Sequence, residues 1–117
     1  MEKSKNFSDL IVWQKAHQLV LDIYRISKKF PKEETFGITS QVRRAAISIP
    51  ANIAEGFART GTKDKLRFYN IAAGSLNEVS YYILLAKDLN YTSTTELRDE
   101  VEEVSRILKS YTKLMRD

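Results

Sequence analysis

Two ordered faces of one helix are visible in Gln41-Val-Arg-Arg-Ala-Ala-Ile-Ser-Ile-Pro-Ala-Asn-Ile-Ala-Glu-Gly-Phe-Ala-Arg59. The apolar face, at steps of four, three, four and four, consists of Val42, Ala46, Ile49, Ile53 and Phe57. The polar face, at steps of four, four, three and four, consists of Arg44, Ser48, Asn52, Glu55 and Arg59. Such spacing places each set on one side of a helix. Pro50 removes one amide donor, and it predicts a kink rather than an end because the apolar period continues past it.

Three further helices are predicted on either side of this segment. Their apolar seams are Trp13, Ala16, Val20 and Tyr24 in helix 1; Phe68, Ala72, Ser75, Val79, Ile83 and Ala86 in helix 3; and Leu97, Val101, Val104, Leu108, Tyr111 and Met115 in helix 4. Breaks are expected at Pro31, at Gly61 and at Asn90, with Asn90 in a left-handed conformation. We expect caps at Ser8 and Thr62, and a capping box over Ser93-Thr-Thr-Glu96.

These patterns predict an all-α fold in a single domain over residues 1–117. The predicted architecture is an antiparallel up-down-up-down four-helix bundle with helix 2 kinked at Pro50. Its helices span about 9–29, 38–60, 62–89 and 93–116. Gly74 beside Ser75 suggests a close approach by a neighbouring helix at the middle of helix 3.

Composition limits the function classes. The chain has 117 residues, of which 43% are hydrophobic and 29% charged, and this suits one soluble domain. It has no cysteine, which excludes disulfides, thiolate metal sites and a thiol nucleophile. It shows neither an export signal nor a membrane-spanning run, so we expect a cytoplasmic protein without membrane contact.

Three separated motifs closely resemble the four-helix-bundle proteins encoded in intervening sequences of bacterial 23S ribosomal RNA genes. They are Phe7-Ser-Asp-Leu-Ile-Val-Trp-Gln14, the segment from Gln41 to Gly56, and Ile71-Ala-Ala-Gly-Ser-Leu-Asn-Glu78. The resemblance implies assembly into five-fold rings. A related branch is the accessory protein of diversity-generating retroelements, which binds nucleic acid and a reverse transcriptase. The family supplies no catalytic residue.

The polar face of helix 2 is interpreted as architectural. In a hairpin turning at Gly61, facing positions have numbers with a constant sum, which predicts the pairs Arg44–Glu78, Glu55–Arg67, Asn52–Asn70 and Ser48–Gly74. Buried charges persist mainly when they are paired. We therefore expect an interhelical or intersubunit polar network made by Arg44, Ser48, Asn52, Glu55 and Glu78.

The distribution of charge carries the main functional prediction. In an antiparallel bundle one end collects Lys3, Lys5, Arg59, Lys63, Lys65, Arg67, Lys109, Lys113 and Arg116 against Glu2, Asp9, Asp64 and Asp117; we call this end the basic pole. The acidic pole collects Lys28, Lys29, Lys32, Lys87 and Arg98 against Glu33, Glu34, Asp88, Glu96, Asp99, Glu100, Glu102 and Glu103. The net charge of +4 thus conceals a dipolar molecule. The basic pole would bind phosphate backbones, or its lysines would only solvate helix ends.

Catalytic alternatives find little support. His17 is the single histidine, and Gln14 stands where a Glu-x-x-His metal motif needs glutamate. Gly56 to Lys63 lacks the residue order of a phosphate loop. Ser48 and Ser75 have no identifiable base, and Tyr69 is a candidate for base stacking near the basic turn.

The leading hypothesis is a non-enzymatic homo-oligomer that binds RNA or DNA electrostatically, with no cofactor and no metal. The expected nucleic-acid-binding residues are Arg59, Lys63, Lys65, Arg67, Lys109 and Lys113. The alternative is a protein-protein adaptor or scaffold, for example an accessory subunit to a reverse transcriptase. Exposure of Trp13, Leu19, Leu21 or Ile23 on helix 1 would favour the adaptor.

Overall fold

The structure, a computed structural model, describes residues 4–116 and is all-α over that range. Its four helices are α1 (Ile11–Ser27), α2 (Ile38–Ala58), α3 (Thr62–Asp88) and α4 (Glu96–Arg116). Short 3-10 helices at Phe7–Asp9 and Lys32–Glu34 precede α1 and α2. The molecule measures 46 × 23 × 23 Å along its principal axes. The predicted all-α four-helix fold is confirmed, and none of the described helices is both long and apolar enough to cross a bilayer.

Each helix packs against the helix that follows it, and α4 also packs against α1. Side chains join the neighbouring helix ends through the pairs Ser27–Arg43, Phe57–Lys65, Arg25–Glu96 and Asn70–Arg116. Each pair joins one end of a helix to the opposite end of its neighbour. These contacts are consistent with the predicted up-down-up-down order. Pro50 is buried inside a continuous α2, and the kink stays a prediction.

The seam predicted for α2 lies in the core, whereas of the seam predicted for α1 only Ala16 is fully buried. Val42, Ala46, Ile49 and Ile53 are buried, with Phe57 half-buried. In α1 the buried residues are instead Val12, Ala16, Leu19, Ile23 and Ile26.

The buried face of α1 is rotated relative to the predicted face because the helix carries two apolar stripes, and the other stripe faces the core. Trp13, Val20 and Tyr24 lie half-buried at its edge, where aromatic rings keep one side in water. The Trp13 ring stacks on His17 with centroids 5.0 Å apart, and the Arg43 guanidinium lies 4.5 Å from the centroid of the Tyr24 ring.

The seams of α3 and α4 differ from the prediction at one end of each helix. In α3, Tyr69 is buried and Phe68 only half-buried. In α4, Thr112 is buried beside a half-buried Tyr111. Both differences fall where α3 begins and α4 ends, so one aromatic layer, with Tyr69 and Tyr111 ring centroids 5.5 Å apart, closes this end of the core.

The helix ends confirm the prediction for Asn90 and correct the three predicted caps. Asn90 has φ 64°. The amide of Tyr91 donates to the Ala86 carbonyl at 2.8 Å, and that of Asn90 donates to Lys87 at 3.0 Å. This is a Schellman end, in which two terminal carbonyls of α3 are satisfied.

The predicted caps are wrong because a neighbouring residue takes each position. Asn6, not Ser8, caps the first 3-10 helix, and α1 starts two residues after that helix ends. Gly61, rather than Thr62, precedes α3, with no side-chain cap. At α4 the Thr94 hydroxyl accepts from the Glu96 amide at 3.1 Å, in place of Ser93 in the predicted box.

A close helix approach occurs at Gly56, and at the middle of α3 it is Ser75, whose hydroxyl lies 2.8 Å from Ser48 Oγ, and not Gly74 that contacts α2. A Cβ added to Gly56 would lie 2.5 Å from Cε1 of the Tyr69 ring. Real Cβ contacts are longer than that, so a side chain at residue 56 would have to displace a buried ring. Gly74 is exposed, with nothing within 4 Å of an added Cβ. The glycine at the α2 end therefore sets the spacing of α2 and α3.

The two glycines should respond oppositely to alanine. We expect Gly56→Ala to destabilise the fold by about 1–3 kcal/mol because the new methyl group overpacks the Tyr69 ring. Gly74→Ala should stabilise it by about 0.5–1 kcal/mol because alanine loses less conformational entropy in a helix. Urea unfolding followed by circular dichroism measures both, and a loss for Gly74→Ala equal to that for Gly56→Ala would contradict this assignment.

Candidate nucleic-acid interface

A small polar network joins α2 to α3 at mid-height. The Ser75 hydroxyl donates to Ser48 Oγ at 2.8 Å. Asn52 Nδ2 donates to Ser48 Oγ at 2.9 Å and to the Ser48 carbonyl at 2.7 Å. Ser48 thus meets Ser75 rather than Gly74, one residue from the predicted register. The hydroxyls contact each other and an amide, and none of these groups can act as a general base toward serine.

The predicted interhelical ion pair between Glu55 and Arg67 is wrong, because each residue pairs with a nearer partner on its own helix. Glu55 pairs with Arg59 at 2.8 Å, one turn away on α2. Arg67 pairs with Asp64 at 2.9 Å on α3. Partners three or four residues apart on one helix already face each other.

The other two predicted pairs also fail to form. Asn70 accepts a hydrogen bond from Arg116 at 3.0 Å instead of meeting Asn52. Arg44 and Glu78 are both exposed, and neither forms an ion pair or a side-chain hydrogen bond within residues 4–116.

Three of the predicted nucleic-acid-binding residues have structural partners. The guanidinium groups of Arg59 and Arg67 lie 4.6 and 4.4 Å from the centroid of the Phe68 ring. Lys65 Nζ donates to the carbonyls of Gly56 at 3.2 Å and Phe57 at 2.8 Å, where α2 ends. A cation there satisfies terminal carbonyls and complements the helix dipole. Lys65 therefore holds the turn between α2 and α3 and has little freedom to reach a ligand.

Of the remaining predicted cations, Lys109 and Lys113 belong to a basic stripe on α4. Lys109 and Lys113 are exposed, as are Arg106 and Arg116, and the four recur at steps of three, four and three. None of them forms an ion pair within the described residues. Sequence reasoning missed Arg106 although its helical spacing was readable. Lys63, at the start of α3, is exposed on the same side of the molecule.

A groove between α3 and α4 runs beside this stripe. Four depressions in a row form it, and each shares two lining residues with the one that follows. The first and second share Asn70 and Arg116, the second and third share Ser105 and Lys109, and the third and fourth share Ser80 and Glu102. Its basic lining residues are Lys63, Arg67, Lys87, Arg98, Arg106, Lys109 and Arg116, against the acidic Asp64 and Glu102.

Positive charge therefore extends from the basic pole along this groove into the pole predicted to be acidic. Three members of the predicted basic pole, Glu2, Lys3 and Asp117, lie outside the described residues.

Tyr69 cannot stack on a base, contrary to the sequence-based suggestion. Its side chain is 1% exposed, and its hydroxyl is buried without a hydrogen-bond partner within residues 4–116. Burial raises the pKa of Tyr69 above its usual range, and the neighbouring Tyr111 raises it further. Tyr69 is a core residue that fills the space above Gly56.

Helix 1 presents only part of the apolar surface that would favour an adaptor. Leu19 and Ile23 are 0% and 1% exposed, Trp13 is half-buried, and only Leu21 of the four residues is exposed. His17 is a surface residue stacked on Trp13.

An acidic cluster that sequence reasoning missed joins α1 to α4. Carboxylate oxygens of Asp22, Glu96 and Glu100 lie within 4.8 Å of one another, and Arg25 pairs with Asp22 at 3.5 Å and with Glu96 at 2.9 Å. Burial, a hydrogen bond to Asp22 and the negative charges of Asp22 and Glu96 together raise the pKa of Glu100 to about 8, against the opposing effect of Arg25. Residues from two helices make this cluster, so no local sequence pattern reveals it.

Glu100 should make the stability of the fold depend on pH. Its folded pKa is above the unfolded value of about 4.3, so the folded state holds the proton more tightly. The resulting stabilisation is complete below the unfolded pKa and is lost as pH rises toward about 8. We expect Glu100→Gln to be more stable than the native chain at pH 8, by a margin that shrinks toward pH 5. Urea unfolding across this range tests it, and a margin independent of pH would contradict the raised pKa.

Comparison with known proteins identifies the family. A family model described as 23S rRNA-intervening sequence protein matches residues 8–110. A crystal structure of a protein of unknown function from the S23 ribosomal protein family of Bacteroides thetaiotaomicron superposes with a TM-score of 0.80 at 25% identity, covering 88% of this chain and 96% of that one. No curated protein matches the chain. The fold, the three motifs and the extent of the match together show that this chain belongs to the family of 23S rRNA-intervening sequence proteins.

Proposed function

We propose that this chain is a non-enzymatic, oligomeric helical bundle that binds nucleic acid electrostatically through the basic α4 stripe and the adjoining groove. The stripe is the observation that supports this most. Its four cations are exposed, regularly spaced on one helix face and not neutralised by ion pairs among the described residues. Phosphate backbones are the partners that such an array attracts, since each contact releases condensed counterions.

The neutralised cations explain why we assign binding to α4 rather than to the α2–α3 turn. Arg59 and Arg67 already interact with Asp64 and with the Phe68 ring, so a phosphate would have to compete with these contacts. Lys63, Lys109 and Lys113 face no such competition. Binding of this kind contacts the backbone and reads little sequence.

Self-association is assigned to the outer face of α2 and α3. Arg44, Ile47 and Ala51 on α2 lie at steps of three and four, as do Ile71, Gly74 and Glu78 on α3, and all are exposed. The centre of this face is apolar and has small side chains. Arg44 and Glu78 supply opposite charges that remain available to a second copy. Repetition of the chain around a ring, five-fold by resemblance, would bring several basic stripes together.

The adaptor alternative keeps one supporting observation. Phe36, in the connection between α1 and α2, is 94% exposed at the acidic pole. An aromatic side chain this exposed is a plausible anchor for a protein partner, such as a reverse transcriptase. The apolar surface on α1 adds little to this alternative, because Leu19 and Ile23 are buried and Leu21 is the one exposed residue of the four.

Nucleic-acid binding can be tested with two charge-matched triple variants. One carries Arg106→Gln, Lys109→Gln and Lys113→Gln, and the control carries Lys28→Gln, Lys29→Gln and Lys32→Gln at the other pole. Lys65 is left intact because it holds the α2 end. The stripe variant should bind RNA and DNA at least about tenfold more weakly at low salt, with a salt slope lower by about 2, and the control should bind nearly as the native chain does.

Fluorescence anisotropy at several salt concentrations gives both quantities. Equal losses in the two variants would show that net charge alone matters and would contradict a defined surface. Negligible binding by the native chain at low salt would contradict nucleic-acid binding and favour the adaptor alternative.

Association can be tested by charge reversal and restoration. The native chain should sediment as an oligomer, and Arg44→Glu or Glu78→Arg should each shift it toward monomer because like charges then meet across the interface. The double reversal should restore assembly, because it re-creates an opposite pair. Analytical ultracentrifugation measures this and gives the number of copies. A native monomer, or single variants that assemble normally, would contradict the assigned face.

A further inference from the structure

We propose that the groove between α3 and α4 holds a single strand of nucleic acid in preference to a duplex. This inference rests on the proposed function and narrows it, because the basic stripe alone would attract either form. The groove adds a concave surface that only an unpaired strand can enter.

The position of the charges favours a strand that follows the groove. Basic side chains occur along its length, from Lys63 at the start of α3, through Lys109, to Arg98 near the start of α4. The molecule is 46 Å long in this direction, so the cations form a line and not a compact patch. A positively charged groove that follows the backbone is the usual arrangement in proteins that bind single strands.

Hydrogen-bonding groups lie inside the groove, between the charged rims. Asn70 and Asn77 on α3 and Ser105 on α4 line the same depression, which has a volume of about 290 Å³. Neither Asn77 nor Ser105 forms a side-chain hydrogen bond within residues 4–116, and the Asn70 oxygen accepts only from Arg116. Amides and hydroxyls of this kind can bond to sugars and to base edges that pairing leaves accessible.

A duplex would not reach these groups. The axes of packed helices lie about 8–10 Å apart, so a duplex laid along α3 and α4 would rest on both helices instead of entering the depression between them. Duplex phosphates would touch only the rim, whereas an unpaired strand could place its phosphates on the rim and its bases or sugars against the amides.

The groove offers few aromatic contacts, and this shapes the expected specificity. Tyr69 lines it but is 1% exposed, so it provides no open ring face. Base stacking, which supplies much of the affinity in many single-strand binders, contributes little here. Binding should therefore depend strongly on salt and weakly on base composition. The slope of log K against the logarithm of the salt concentration should be about −0.7 for each phosphate contacted.

A variant that fills the groove without changing any charge tests this inference independently of the proposed function. The double variant Ala73→Leu and Asn77→Leu fills the middle of the groove, removes one amide and leaves every cation in place. Both positions are exposed on α3, and leucine favours helix, so the fold should be retained. The matched control is Gln18→Leu, an exposed and equally neutral change on α1, away from the groove and from the proposed association face.

The probes are a short single-stranded RNA, the DNA strand of the same sequence, and the duplex of each, compared by anisotropy at equal phosphate concentration. We expect the native chain to bind single strands at least about tenfold more tightly than duplexes, and the double variant to lose that preference, while the control keeps it. Comparing the two single strands shows whether the sugar hydroxyl contributes.

Equal binding of single strands and duplexes by the native chain would overturn the inference while leaving the proposed function intact. The same conclusion would follow if the double variant bound single strands as tightly as the control. Failure of the native chain to bind any probe would overturn both.

Discussion

The close approach of α2 and α3 at Gly56 is the constraint on which the rest of this structure depends. The Tyr69 ring lies where a side chain of residue 56 would be, and Lys65 bonds to the carbonyls that end α2. With the helices fixed at this end, Ser48 and Ser75 come within 2.8 Å of each other farther along. The α2–α3 pair is consequently the most extensively packed pair of helices in the described residues, and its outer face carries the small residues Ala51 and Gly74.

The same constraint leaves α3 with a second, less filled flank toward α4. The groove follows the line where α3 and α4 meet. Its charge follows from the layout of α4, in which acidic residues come early and basic residues late, in agreement with the helix dipole. The late cations lie far from the carboxylates of the opposite pole and form no ion pair within residues 4–116. The proposed association face and the proposed phosphate-binding face therefore lie on different sides of α3.

The sequence predicts those features that a single helix determines. The seam of α2, the left-handed Asn90 and most of the seam of α4 follow from residue spacing and local backbone chemistry. The seam of α1 could not be predicted with the same security, because two apolar stripes compete and only tertiary packing chooses Leu19 over Val20. The interhelical pairs failed because a one-residue difference in register separates Ser48 from Gly74, and because Glu55 and Arg67 each have a closer partner on their own helix.

The candidate site could be predicted from the sequence only in part, for the same reason. Lys63, Lys109 and Lys113 were found from charge and topology, whereas Arg106 was overlooked and Tyr69 was misplaced, since burial of a ring depends on the neighbouring helix. The groove itself, with Asn70, Asn77 and Ser105, depends on the distance between two helices. The acidic cluster at Glu100 depends on the packing of α1 against α4.

The most direct test of the central claim is to map backbone amide chemical shifts by NMR while a short single-stranded RNA is added. The account predicts that the largest changes follow α3 and α4 along the groove, including Asn70, Asn77 and Lys109, with small changes in α1 and on the outer face of α2. Changes concentrated on α1, or spread evenly over every exposed lysine, would contradict it.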